Sequence, residues 1–162
     1  MNRNVTNVAD KIAELRKHSS EYICESFDTI AGFADHGAIV HYSAKKCCDY
    51  TLTPDNIILI DTGGNYLGGT TDITRTVSLT NAPSAEQKRD YTLVLKGHIA
   101  IQMQKFPAKT VGFQIDTLAR QYLWQAGLNY GHGTGHGVGH VLCVHEGPQD
   151  LRQNLYDQAM LP

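Results

Sequence analysis

Leu59-Ile60-Asp61-Thr62-Gly63 and, after a turn, Gly69-Thr70-Thr71-Asp72-Ile73-Thr74-Arg75-Thr76 are the stretches that decide how this chain reads. Ile57-Ile58-Leu59-Ile60 is a continuous aliphatic run, which suits a strand buried on both faces, and Asp61 ends it. Gly63, Gly64, Gly68 and Gly69 bracket Tyr66 and Leu67 and mark a turn. Thr70 to Leu79, rich in Thr, Val and Ile, reads as the return strand. With the turn centred on Tyr66-Leu67, Asp61 and Asp72 face each other across an antiparallel pair, where Cβ atoms lie about 4.5–5.5 Å apart. Two carboxylates that close repel, and one takes up a proton unless a cation lies between them. A divalent ion removes the conflict, and two ions roughly 3.5–4 Å apart are naturally bridged by such carboxylates. The plainer alternative is that Asp61 caps a turn and Asp72 faces water.

On the N-terminal side, Val5, Val8, Ile12 and Leu15 form one stripe of an amphipathic helix. Residues from about Ser26 to Tyr42 read as two short strands around a glycine-containing turn, with Ala38 to Val40 the apolar core of the second and His41 at its end. On the C-terminal side, Ser84 and Gln87 have capping-box spacing. Tyr91, Leu95, Ile99 and Met103 then recur every four residues along a helix that ends near Pro107. A further helix buries Ile115, Leu118, Ala119 and Tyr122 and stops at Gly127.

Next comes Gly131-His132-Gly133-Thr134-Gly135-His136-Gly137-Val138-Gly139-His140, with glycine at every second position. A helix is disfavoured, since each Gly costs about 0.8–1 kcal/mol relative to Ala. In an extended chain His132, Thr134, His136, Val138 and His140 share a face, and bare backbone on the other face lets another backbone or a ligand approach closely. A flexible linker is the alternative, but it would carry serine and charge in place of three histidines. Val144-His145-Glu146-Gly147-Pro148 reads as a strand end entering a turn.

In order and spacing, these stretches resemble a known family. Leu59 to Gly63 with Gly69 to Thr76 is similar to the metal-binding hairpin of the pita-bread metallopeptidases. His132 to Gly139 and Val144 to Pro148 resemble the histidine segment of the Xaa-Pro aminopeptidases (aminopeptidase P). Ser26-Phe27-Asp28-Thr29-Ile30 with Ile39-Val40-His41-Tyr42 resembles the strands that precede the site. The resemblance implies an α+β chain carrying a partial pita-bread (creatinase/aminopeptidase) fold. Its curved, mainly antiparallel sheet would have helices on the outer face, with the C-terminal strands missing. It implies one C-terminally truncated catalytic domain over residues 1–162. Asp61 would bind one metal ion, Asp72 would bridge two, and His136 would bind one through a ring nitrogen. His41, His132 and His145 would line the cleft, orienting the peptide and stabilising charge or shuttling protons. The ions would be two divalent metals, manganese by the family's habit, with zinc or cobalt as alternatives; carboxylates with one imidazole suit manganese. The implied reaction releases the N-terminal residue from peptides with proline in second position, by a metal-activated water. Full-length members of the family are often homodimers.

Two glutamate ligands expected from the family, in Glu-Pro-Gly and Arg-x-Glu-Asn contexts, have no counterpart here. Glu146, Asp150 and Asp157 stand in other surroundings. With three ligands for two ions, weak metal binding and little peptidase activity are expected of this chain. A prolidase-like hydrolase shares the same ligands, and a non-catalytic peptide-binding module shares the fold. His18, His36 and His98 read as structural, and Arg75 as a partner orienting a site carboxylate.

Composition sets the outer bounds. A chain of 162 residues fits one domain. Its 41% hydrophobic and 19% charged residues are those of an ordinary globular protein. A net charge of -2 gives no pull toward nucleic acid or anionic membrane. With no signal-peptide pattern and no membrane-length apolar run, the cytoplasm is the expected compartment, and Cys24, Cys47, Cys48 and Cys143 read as reduced thiols.

Overall fold

The computed structural model describes residues 4–45, 50–141 and 143–154. Cys47, Cys48 and Asp157 lie outside the described residues. The chain divides into two compact units, one formed by Met1–Pro83 with Val138–Val144, the other by Ser84–Gly137 with His145–Pro162.

The first unit opens with helix α1 (Val5–Arg16) and continues through strands β1 (Tyr22–Glu25), β2 (Ile30–Phe33), β3 (Ile57–Thr62), β4 (Gly64–Tyr66), β5 (Gly69–Thr70) and β6 (Ile73–Ser78). Two antiparallel three-stranded sheets result, ordered β1-β4-β5 and β2-β3-β6. The core packs Val5 of α1 against Ala31 and Phe33 of β2 and Ile58 of β3. The aliphatic run at 57–60 thus becomes the central strand of its sheet, where side chains of both faces need partners.

Two expectations fail in this unit. The second of the two strands between Ser26 and Tyr42 does not form. Ala34–Ala38 is a 3-10 helix, and Ile39 and Val40 are exposed in the turn that follows. The chain reverses at Ala34, which has φ of +53°, and Gly37 packs so closely on Gly32 that a Cβ on Gly32 would strike it. The residues after Gly37 therefore turn back before they can pair. The second failure is register. Asp61 pairs with Thr74, not with Asp72, and Asp72 sits just ahead of β6. The β4–β5 turn centres on Leu67-Gly68, with Tyr66 opposite Gly69, one residue beyond the expected centre. A one-residue shift of the turn moves the partner on the return strand by two.

The second unit holds α2 (Ala85–Gln102), α3 (Gly112–Gln125), β7 (Gly135–Val138) and β8 (His145–Leu151). The capping box at Ser84 is formed, with Gln87 N–H donating to the Ser84 hydroxyl and the Ser84 N–H donating to the Gln87 side chain. Helix α3 buries Ile115, Ala119 and Leu123. It stops at Gly127, whose φ is +72°. The Leu128 N–H reaches the Leu123 carbonyl and the Gly127 N–H that of Trp124, which is the six-to-one and five-to-two pattern of a glycine-ended helix. β7 pairs with β8. The extended segment is shorter than its glycine alternation suggested, and His132 and His140 lie off the strand. Nor does Gly147-Pro148 end the second strand, because β8 runs through it to Leu151. A two-stranded sheet leaves outward N–H positions where a proline costs no ladder bond.

Candidate metal centre

In the first unit, Asp61 stands at the C-terminal end of β3, half-buried. Thr74 lies opposite it across the strand pair, and the Asp61 Oδ1 is buried with no hydrogen-bond partner among the described residues. Burial pushes the Asp61 carboxyl above its ordinary value. The Asp72 carboxylate raises it further, while Thr74, the Thr62 backbone and His41 act the other way. Asp61, Asp72 and His41 thus share one electrostatic neighbourhood, without Asp61 and Asp72 being paired directly. An unpartnered buried carboxylate oxygen beside a second carboxylate is the donor arrangement that a hard divalent cation satisfies, so the residues present fit such an ion.

The backbone around this half-site is tightly fixed. A Cβ on Gly63 would collide with the Thr71 carbonyl and the Ser26 hydroxyl, so only glycine lets the strands flanking Asp61 and Asp72 approach. His41 adopts φ of +55° and Val141 +70°. For a β-branched residue that is a true outlier, and strain of this kind persists where the surroundings over-determine it. At Val141 they do: its N–H faces the Asn65 Oδ1 and Thr70 Oγ1, and the neighbouring His140 ring contacts Thr70. Arg75 departs from expectation. It donates to the Thr74 carbonyl and makes no ion pair among the described residues. Arg75 pairs with Ile60, so it lies one residue off the Asp61 position, and alternation points it to the opposite face of the sheet. Thr74, not Arg75, is the residue of β6 that stands opposite Asp61.

A pH dependence follows from the Asp61 environment. The folded chain binds the Asp61 proton more tightly than the unfolded chain does. Protonation therefore stabilises fully below the ordinary Asp value of about 3.9, and this contribution is lost as pH rises through the raised folded value. Asp61→Asn, measured by thermal unfolding in chelator, is expected to melt above the wild type at pH 7, with the gap closing toward pH 4. Equal melting at pH 7 would contradict a burial penalty on the Asp61 carboxylate.

In the second unit, β7 and β8 carry His136 and His145, both exposed, with ring centroids 3.9 Å apart and planes tilted by 51°. The glycine alternation has a visible purpose here. A Cβ on Gly137 would collide with the Glu146 carbonyl, so His136 faces outward while bare backbone lies against β8. His136 Nδ1 donates to the Gly137 carbonyl at 2.8 Å, and His132 Nδ1 to the Gly133 carbonyl at 2.7 Å. A carbonyl can only accept, so each bond places the proton on Nδ1 and makes Nε2 the basic nitrogen of the ring.

Two residues of this unit were missed in the sequence. Asp116 and Arg120 are 0% and 2% exposed and joined by bonds of 2.7 and 3.3 Å. Their i, i+4 spacing is that of an ordinary surface pair. The signal against that reading was their position beside the buried Ile115, Ala119 and Leu123. His36, expected to be structural, stacks its ring on Tyr50 at 3.9 Å and lies 4.6 Å from Tyr42.

Comparison with known proteins bears on all of this. Metallopeptidase family M24 matches residues 3–162. A probable Xaa-Pro aminopeptidase P of Verticillium alfalfae is 51% identical over 140 residues, covering 86% of this chain and 23% of that protein. Aminopeptidase P2 of Arabidopsis thaliana is 47% identical over 152 residues, covering 93% of this chain and 21% of that protein. The chain therefore spans between a fifth and a quarter of the length of these relatives. The X-prolyl aminopeptidase of Caenorhabditis elegans, described as a cytosolic enzyme with a di-nuclear active site, superposes with a TM-score of 0.92 at 42% identity, over 99% of this chain and 26% of that one. Prolidase from Pyrococcus furiosus gives 0.82 at 28% identity, over 100% of this chain and 46% of that one. The mixed helix and antiparallel-strand architecture is accordingly part of the pita-bread fold of these aminopeptidases and prolidases. With the match running over nearly every residue, the chain belongs to metallopeptidase family M24.

Proposed function

We propose that residues 1–162 are part of the single catalytic domain of an Xaa-Pro aminopeptidase, which removes the N-terminal residue from peptides with proline in second position. Identity of 47–51% to aminopeptidase P relatives, against 28% to a prolidase, favours this substrate class over dipeptides. The observation that carries the chemistry is the half-buried Asp61 carboxylate, with Oδ1 unpartnered and Asp72 beside it.

Asp61, Asp72 and His136 are the residues that would hold two divalent ions, manganese before zinc or cobalt. Bound there, the ions would supply a water of lowered pKa and polarise the scissile carbonyl. The chain's own groups do the rest. Asp72 and Asp61 would hold the ions through carboxylate oxygens, and His136 through Nε2, its Nδ1 being engaged with the Gly137 carbonyl. His132, His145 and His41 line the cleft, orienting the peptide and stabilising charge or shuttling the proton to the leaving imino nitrogen. The proline amide has no N–H, so recognition rests on the ring and the carbonyl.

Three ligands for two ions is a sparse set, so this chain is expected to bind manganese weakly and to turn over peptide slowly. Among the described residues no helix is long and apolar enough to cross a membrane. A cytoplasmic location and a homodimeric full-length protein complete the proposal. Calorimetric titration with manganese tests it. Binding is expected in the wild type and lost in Asp72→Ala and in His136→Ala. Unchanged binding in Asp72→Ala would mean adventitious capture by exposed histidines and would overturn the reading.

A further inference from the structure

Arg120 lies in α3, yet three of its hydrogen bonds run to the segment that introduces the glycine-histidine strand. Nη1 donates to the Tyr130 carbonyl at 2.7 Å and to Asn129 Oδ1 at 3.2 Å, and Nη2 donates to the His132 carbonyl at 2.7 Å. Nε and Nη2 are fixed from below by Asp116. The guanidinium carbon sits 3.9 Å from the centre of the Tyr130 ring. That ring in turn stacks on the His132 imidazole, with centroids 4.7 Å apart and planes inclined by 29°. The Tyr130 hydroxyl meets Thr134, whose own hydroxyl donates to Asp116. Guanidinium, phenol and imidazole therefore form one stack. Its inner end is buried and rigid, and its outer end is an exposed histidine.

We propose that Arg120 is a positioning residue for His132, acting through Tyr130 to hold the imidazole with Nδ1 on the Gly133 carbonyl and Nε2 presented outward. This rests on the reading of His132 as a substrate-facing residue. The physical case is economy of constraint. An exposed histidine has two free side-chain torsions and in water favours the other tautomer. A stack on one face and a hydrogen bond from Nδ1 remove both freedoms. Planar, five-donor arginine can grip two carbonyls and a carboxylate while stacking on a ring, and lysine cannot.

The test needs neither metal nor substrate, so its failure is distinguishable from failure of the hydrolase reading. Long-range proton–nitrogen correlation spectra of the full chain at pH 8 report the tautomer of each histidine, with His132 assigned by its absence in His132→Gln. Wild type and Tyr130→Phe, which keeps the ring, are expected to show His132 mainly protonated at Nδ1. Tyr130→Leu and Arg120→Lys are expected to lower the Nδ1–H to Nε2–H ratio severalfold, with His98 unchanged. A Tyr130→Leu spectrum in which His132 keeps its tautomer overturns the proposal, as does an equal shift in Tyr130→Phe. If Arg120→Lys does not fold, the two Tyr130 variants decide alone.

Discussion

Gly97→Ala is expected to destabilise the helical unit by about 2 kcal/mol, although it replaces the poorer helix former with the best one. Gly97 lies inside α2 and is the only residue of that helix that is buried. In an exposed position the change would gain about 0.8–1 kcal/mol of helix propensity. Here the added Cβ would fall on the Ala119 carbonyl, with the Ala119 carbon and Cα behind it. All three are backbone atoms of α3, so no rotamer change relieves the overlap and the helices must separate. Overpacking of a fitted contact costs about 1–3 kcal/mol, occasionally more. The contact here is at the short end of what a backbone tolerates, so the steric term exceeds the propensity gain. Urea unfolding followed by helix signal measures it, with His98→Ala on the exposed face of α2 as the control for propensity. A Gly97→Ala midpoint at or above the wild type would show that α2 and α3 do not meet at this glycine.

How much of this was legible beforehand differs by residue. Ile57 to Ile60 announced a central strand because no outward polar residue interrupts it, and that strand formed in the middle of its sheet. Ser84 and Gln87 announced a helix start because the capping box is local and needs no tertiary partner. The chemistry of Asp61 and Asp72 was visible as residue types in a hairpin context. Their mutual register was not, because four glycines permit the turn to centre at more than one place. Ile39 and Val40 looked like strand residues and emerged exposed, since the 3-10 turn at Ala34–Ala38 redirects the chain before them. Asp116 and Arg120 escaped for the opposite reason. Local spacing gave them a sufficient solvent-exposed explanation, and only the burial of their neighbours contradicts it.

Asp116→Asn is expected to cost about 3–5 kcal/mol, because it breaks a buried ion pair by removing one partner. The change keeps shape and some hydrogen bonding but removes the only buried negative charge, among the described residues, beside a guanidinium that is 2% exposed. Solvating that cation again requires opening α3 or the 129–134 segment, and either route breaks the bonds from Arg120 to Tyr130 and His132. The pair is not thereby a large net source of stability. Taking two charges out of water costs several kcal/mol per ion, and their attraction does little more than offset it. Asp116→Leu combined with Arg120→Met should consequently recover most of the stability that either change alone removes, a coupling that denaturant midpoints of the two singles and the double would measure. The double variant also separates two roles that a single substitution confounds. Its packing is restored, but it has no donor for the His132 carbonyl and no guanidinium under Tyr130. If Arg120 matters only for folding, the double variant should present His132 as the wild type does. If the charged pair is retained to fix the outer histidine, the double variant should be as stable as the wild type while its His132 imidazole reverts to the solvated tautomer.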